Sequence, residues 1–214
     1  MDIDPRDLDR PTLNGLINGL VAPRPIAWTS TVAADGTRNL APFSFFNAFS
    51  FHPHPTLGIG PGSRQGINKD SLANVKATGQ FAVNLVSYAL AERANLTSTE
   101  VGPGVDEWDL AHVRSEPCDL IRPERVADAP ASFECEVLKI VELGTREQPT
   151  NSLVIGRVVR MHVADAVLVP ERLTPIPEAL DLVGRMGGDN WVRTRDLFEL
   201  PRPGRVEGTR LRAR

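Results

Sequence analysis

The sequence predicts a mainly β fold, an antiparallel barrel with a few short helices set into it. Three observations lead there. The 214 residues include 17 glycines and 18 prolines, a composition rich in turns and poor in long helices. Residues 132–143 and 151–163 form two long runs with alternating faces, as paired half-buried strands do. Strand-like and helix-like runs do not alternate in the regular order of a parallel α/β sheet, so a closed antiparallel sheet is the better solution.

The elements follow along the chain. The first ten residues are charged and read as a frayed terminus. A short helix over 12–20 stops before Pro23 and Pro25, which cannot continue it. Residues 26–32 are rich in β-branched side chains and read as a strand. Ala34-Asp35-Gly36-Thr37 marks a hairpin turn, with a return strand over 38–44. The run from Pro42 to Phe49 is aromatic with small polar interruptions. After His52-Pro53-His54-Pro55, residues 56–59 read as a buried strand closed by Gly60-Pro61-Gly62-Ser63. A helix then begins at an Asp70 or Ser71 cap and ends at Gly79, and residues 81–86 form the next strand. Residues 90–111 have a helical pattern broken at Gly102-Pro103-Gly104. A long connection over 114–131 holds Pro117, Pro123 and Pro130 and leads into the two long strands, which a polar loop at 145–150 separates. Residues 181–188 are a glycine-rich return, and the tail from Arg202 carries five arginines and one glutamate. No stretch resembles an interdomain linker, so a single domain over 1–214 is expected, with an ordered core at about 12–203 and a flexible tail at 204–214.

Composition excludes several classes. With 24 Lys plus Arg against 27 Asp plus Glu, the formal charge is −3, which does not suit a nucleic-acid binder. No apolar run approaches the roughly 20 residues that span a bilayer, and the acidic start lacks the basic and apolar regions of a signal peptide. Cys118 and Cys135 are too few for a disulfide framework and fit a reducing compartment. A cytoplasmic protein that binds neither nucleic acid nor membrane is expected.

Several chemistries find little support. Of the four histidines only His52 and His54 lie close together, in a proline-rigid turn with no cysteine near, so no metal site is expected. There is no G-x-S-x-G elbow, and Cys135 lies in an apolar strand. Gly58-Ile59-Gly60-Pro61-Gly62 fails as a dinucleotide fingerprint because Ser63 takes the third glycine position and no helix opens there. Just beyond it, Ser63 and Arg64 precede Lys69-Asp70-Ser71 at a helix start. These bring a guanidinium, an ammonium, hydroxyls and free N–H groups to one place, which suits an anion. On these residues alone, ordinary surface charge is the simpler account. Residues 26–31 paired with 41–47 mix hydroxyls and an amide with aromatic rings, which suits a flat heterocycle with polar edges. Ordinary barrel core would also explain half of them.

In order along the chain, these segments resemble the flavin reductase-like family of FMN-binding split β-barrels. The residues that carry the resemblance are Pro23-Arg24-Pro25-Ile26-Ala27, Ser30-Thr31-Val32, Asp35-Gly36 and the run from Asn39 to Asn47. Further ones are Pro55-Thr56-Leu57, the run from Lys69 to Asn74, the run from Phe81 to Leu85, and Val105-Asp106-Glu107. Phe133-Glu134-Cys135, the run from Asn151 to Gly156, His162 and Arg185-Met186-Gly187-Gly188 complete them.

The resemblance implies a homodimer of Greek-key split barrels, each binding FMN near the dimer interface. By position, Trp28, Thr29, Ser30, Ser44, Phe45, Phe46 and Asn47 would line the isoalloxazine and ribityl chain. Arg64, Lys69 and Ser71 would hold the phosphate, with Asp70 as helix cap. His162 and Trp191 match positions on the nicotinamide side in some relatives, and His162 fits a solvent-facing strand position equally well. The implied chemistry is hydride transfer from NADH or NADPH to flavin, with reduced flavin passed to a partner flavin-dependent monooxygenase. An FMN-containing electron carrier fed by protein partners is the alternative, and a barrel that has lost flavin is a third reading. Two positions depart from the family's common pattern: Ser71 where Thr is frequent, and Trp191 where Tyr is.

Overall fold

The computed structural model describes residues 1–64, 67–102, 105–144 and 149–201, with the backbone alone at 63–64, 67–68 and 149–150. The Arg64 side chain, Pro103 and Gly104 of the expected break, most of the 145–150 loop, and the tail from Arg202 lie outside the described residues.

Seven strands form the main sheet: β1 (Ala27–Val32), β2 (Arg38–Phe43), β3 (Phe46–Ser50), β4 (Thr56–Ile59), β5 (Gln80–Leu85), β6 (Ala131–Gly144) and β7 (Pro149–Val163). Their spatial order is β2-β1-β5-β6-β7-β4-β3, antiparallel throughout. The outermost strands, β2 and β3, are consecutive in the chain with only Ser44 and Phe45 between them. The sheet therefore has to curl until its edges approach at that link, which makes a barrel split at one seam.

Strand β1 is buried along its whole length, and successive side chains leave a strand on opposite faces. Ala27 faces an inner cluster with Ile59, Phe81, Val83, Cys135 and Val154. Trp28 faces an outer cluster with Leu40, Val86, Leu90, Trp108 and Val126. Helix α1 (Arg10–Leu20) precedes the barrel. Helix α2 (Asp70–Thr78) sends Leu72 and Val75, three residues apart, into the inner cluster. It ends where Gly79 adopts φ +70°, a left-handed cap that glycine takes without steric cost. Helices α3 (Ala91–Leu96) and α4 (Glu107–Leu110) cover the outer face through Ala94 and Trp108.

Several boundaries differ from the sequence reading, each for a local reason. Residues 1–10 are not simply frayed: Asp4 caps a 3₁₀ turn at Pro5–Asp7, and Asp9 accepts the Thr12 N–H at 2.8 Å to start α1 at Arg10. Lys69, rather than Asp70 or Ser71, is the N-cap of α2. The glycine-rich return contains a strand, Val183–Arg185, between Trp191–Arg193 and Arg24–Pro25. Arg24 locks this corner from a buried position. Its Nη1 donates to the carbonyls of Asn18 and Val21 at the end of α1, its Nη2 to Met186 O at 3.2 Å, and its Nε to Ser44 Oγ at 3.3 Å. A cation there satisfies carbonyls that the helix leaves unpaired.

The barrel wall needs a residue without a side chain at Gly156, where a Cβ would lie 2.4 Å from Phe81 Cζ. Phe81 is fully buried and has no room to yield. Gly156→Ala is expected to lower the unfolding free energy by about 1–3 kcal/mol through overpacking. Urea denaturation checks this, and an unchanged midpoint would show that the ring repacks freely.

Candidate functional site

Beside the barrel seam, a cleft of about 370 Å³ opens between the edge of β2, the start of α2 and the loop after α3. Asn39, Ala41, Pro42 and Phe43 form one wall, Lys69, Asp70 and Ser71 the second, and Thr97–Val101 with Glu107 the third. The Lys69 ammonium stands 6.0 Å from the centroid of the Phe43 ring. Lys69, the N-cap of α2, makes no side-chain cap hydrogen bond, and Asp70 is the acidic residue of the first turn. An ammonium, a serine hydroxyl and a helix N-terminus in one cleft are the groups that suit a phosphate. This donor set fits the phosphate of FMN, and the apolar wall of Ala41–Phe43 fits what a flavin carries beyond it.

A buried polar network lies under this cleft. Ser71 Oγ donates to Asn39 Oδ1 at 2.5 Å, and Thr31 Oγ1 donates to the same oxygen at 3.3 Å. Asn74 Nδ2 donates to Thr31 Oγ1 at 3.1 Å. Asn39 Nδ2 donates to Glu107 Oε1 at 3.0 Å, and the Leu40 N–H to Glu107 Oε2 at 3.3 Å. Burial pushes the Glu107 carboxyl above its usual range, against the opposing pull of these hydrogen bonds.

The other residues singled out from the sequence fall in different surroundings. Trp28 is fully buried, and its Nε1 donates to Thr97 Oγ1 at 2.9 Å, so it anchors the loop that walls the cleft. Thr29 is buried and donates to Ala27 O, and Ser30 donates to Glu124 O. Ser44 is half-buried, and its hydroxyl accepts from Arg24. Phe45, Phe46 and Asn47 line a second cleft of about 380 Å³ with Phe49, Gly58, Gly60 and Asn151–Leu153. The two clefts flank the Ser44–Phe45 link, since Phe43 lines one and Phe45 the other. Trp191 lines neither and is stacked by Arg185, whose guanidinium carbon lies 5.1 Å from the ring centroid.

His162 also lines neither cleft. Its Nε2 lies 2.6 Å from Glu134 Oε1, and the fully buried Glu134 also accepts the N–H groups of Asp119 and Leu120 at 2.7 Å each. Among the described residues, Asp119, Glu134 and His162 are the one group whose ligand atoms gather closely enough to consider a metal. The 2.6 Å contact is a hydrogen bond, too close for two atoms ligating one ion at ~2.0–2.2 Å each in tetrahedral geometry. Burial pushes the Glu134 carboxyl up, but the His162 bond and the two backbone N–H groups outweigh it and hold it below the usual range. Burial raises both thiols, that of Cys118 to about 12, so neither is a ready nucleophile.

Residues 20–174 match the family model of the flavin reductase-like domain. The chain belongs to the flavin reductase-like family. A protein of Deinococcus radiodurans is 39% identical over 194 residues, spanning 87% of this chain and 83% of its own length. Among solved structures, nitrilotriacetate monooxygenase component B from Bacillus cereus superposes with a TM-score of 0.89 at 29% identity, over 94% of this chain and 98% of that one. The 2-nitrobenzoate 2-nitroreductase of Pseudomonas fluorescens does so with a TM-score of 0.86 at 30% identity, over 96% and 98%. Family membership and the split barrel therefore stand as the sequence indicated.

Sequence reasoning gave no role to Asn39, Glu107 or Thr97–Val101. Asn39 and Glu107 stand in segments that carry the family resemblance, which was the available signal; the loop offered none.

The Glu134 clasp generates a prediction. A carboxyl held below its unfolded pKa, about 4.3 for glutamate, adds stability that is complete above that value and is lost as pH falls through the lower folded value. Glu134→Gln is expected to destabilise the protein at pH 7 by about 1–3 kcal/mol and to flatten the decline of stability below pH 4. An unaltered acid limb in thermal melts would contradict this.

Proposed function

We propose that the protein is an FMN-dependent oxidoreductase that takes hydride from NADH or NADPH and hands reducing equivalents on, with a partner flavin-dependent monooxygenase as the receiving component. The observation that carries this is the coincidence, in a flavin reductase-like chain, of an anion-ready helix N-terminus and an apolar wall in one cleft at the barrel seam. Bound FMN would supply the hydride acceptor.

The protein's own residues then have defined tasks. Lys69, Ser71 and the first N–H groups of α2 hold the phosphate, with Arg64 assigned beside them. Asp70, the first residue of α2, keeps a carboxylate at the positive end of the helix. Ala41–Phe43, Ser44 and Phe45 carry the path toward the second cleft, where Phe45, Phe46 and Asn47 offer aromatic faces and an amide to the ring system. Trp28, Thr29 and Ser30 act from behind as a buried strand, with Trp28 fixing the cleft loop through Thr97 and Ser30 bonding the connection before β6 at Glu124. His162 and Trp191 are assigned to the nicotinamide side. Because Nε2 of His162 is committed to Glu134, it would meet a nicotinamide through its ring face or Nδ1.

A homodimer belongs to this reading. Strand β3 is an edge of the sheet, and Phe45, Phe49 and Phe51 stand exposed on or beside it. Exposed aromatic clusters of this kind are commonly covered by a partner, and a second copy of the chain would cover them. Light scattering should give twice the chain mass, and a flavin-loaded monomer would contradict it. No helix among the described residues is long and apolar enough to cross a membrane, and two unbridged cysteines agree with a cytoplasmic setting.

The test is a visible absorption spectrum of the FMN-loaded protein followed anaerobically as NADH and then NADPH are added. Rapid bleaching by one of them is expected. A flavin spectrum that ignores both would move the protein to the electron-carrier class. The phosphate assignment has its own check: Lys69→Ala combined with Arg64→Ala should weaken FMN binding by about 3 kcal/mol or more, since each charge-assisted contact contributes ~1.5–3, while riboflavin binding changes little. Equal losses for both ligands would place the phosphate elsewhere.

A further inference from the structure

The binding reading leaves one group in the cleft without a task. Glu107 lies below the phosphate place with 8% of its surface exposed, and every hydrogen bond in the network above it runs toward it. Asn74 donates to Thr31, Thr31 and Ser71 donate to Asn39, and Asn39 donates to Glu107. A hydroxyl has one proton to give, and that of Ser71 is directed to Asn39 Oδ1 rather than to the cleft. An anion arriving at α2 needs that proton. It also brings negative charge close to a carboxylate, and like charges in one site favour protonation of the carboxylate.

We propose that Glu107 is a positioning residue for the phosphate-holding hydroxyl, taking up one proton from solvent when a phosphate monoester binds and thereby turning the Ser71 O–H toward the ligand. The inference rests on the reading that this cleft takes the FMN phosphate. The exchange balances without any covalent bond changing in the chain apart from the new O–H. Protonated Oε1 of Glu107 donates to the Asn39 carbonyl, whose amide has turned over. The Asn39 NH₂ now donates to Ser71 Oγ and Thr31 Oγ1, where its carbonyl formerly accepted, and Thr31 gives its own proton to the carbonyl of Asn74, whose amide turns over in the same exchange. Ser71 Oγ is satisfied as an acceptor, and its proton is released to a phosphate oxygen. The Leu40 N–H continues to donate to Oε2 throughout.

The charged groups around Glu107 do not offer a simpler proton acceptor. On its own side, Asp106 is paired with Arg38 of β2 at 2.6 Å, and Asp109 lies 3.7 Å from the same guanidinium. Arg38 further bonds Glu124 at 3.0 Å. Across the cleft stand Lys69 and Asp70 at the start of α2 and Glu100 on the loop after α3. Burial already moves Glu107 toward the neutral form, with Asp106 adding to the rise.

The experiment is calorimetric titration of the full chain with FMN at pH 7.5, in two buffers of different ionisation enthalpy. At that pH the phosphate is already a dianion, its second pKa being about 6. Wild type is expected to take up close to one proton per FMN, with affinity falling by up to about tenfold per pH unit as pH rises above 7, and to take up none with riboflavin. Infrared difference spectra should show a protonated carboxyl band appearing on FMN binding. Glu107→Gln should bind FMN with no proton uptake, no such band and little pH dependence over the same range. FMN binding to wild type without proton uptake overturns the proposal, as does equal uptake in Glu107→Gln or loss of uptake in Asp70→Asn instead. The wild-type count decides by itself if the variants fold poorly. A wild type that binds no FMN at any pH sinks the flavin reading and the inference with it, a result distinct from binding without protons.

Discussion

The amide of Asn39 holds the site together. It sits on β2, the strand next to the barrel seam, and joins three elements far apart in sequence: β1 through Thr31, α2 through Ser71 and α4 through Glu107. A buried polar group left unpaired costs roughly 1–3 kcal/mol, so each of these elements is drawn to one position by the need to satisfy the others. The start of α2 then faces the edge of β2, and the cleft exists because those two surfaces meet at a fixed distance. Buried networks of this kind specify one arrangement more sharply than apolar packing does.

The barrel supplies the frame that makes the network rigid. Its β1 strand has core on both sides, which leaves no direction in which Thr31 can move. The long β6–β7 hairpin closes the wall, and Gly156 lets the Phe81 ring approach it closely. Glu134 and His162 then tie β6 and β7 to the connection before them through Asp119 and Leu120. Arg24 does the same for α1, the C-terminal return and Ser44. In both clasps one buried charge is surrounded by enough partners to remain ionised, as burial demands.

Much of this was legible in the sequence. The long strands announced themselves by alternation, the hairpin by Asp35-Gly36, and the end of α2 by Gly79, because each depends on residues close together in the chain. The residues proposed to hold a phosphate could be singled out for the same reason, since Lys69 and Ser71 stand close together in the chain. Boundaries failed where a cap lies outside the hydrophobic pattern, as Asp9 does for α1 and Lys69 for α2. What stayed hidden depends on distant pairs. Glu107 meets Asn39 from 68 positions away and Trp28 meets Thr97 from 69, and no local rule connects them. Residues of the two paired segments looked alike on paper, yet the fold gives Trp28, Thr29 and Ser30 partners inside the protein while Phe43 and Phe45 open onto the two clefts.

The central claim is that the network under Asn39 builds a phosphate place at the start of α2. A crystal structure of the protein with FMN tests it most directly. The account predicts the phosphate within hydrogen-bond distance of the Lys69 ammonium and the Ser71 hydroxyl, with the flavin ring extending past Phe43 toward Phe45. A phosphate held elsewhere, with the α2 N-terminus making no contact to it, would contradict the account.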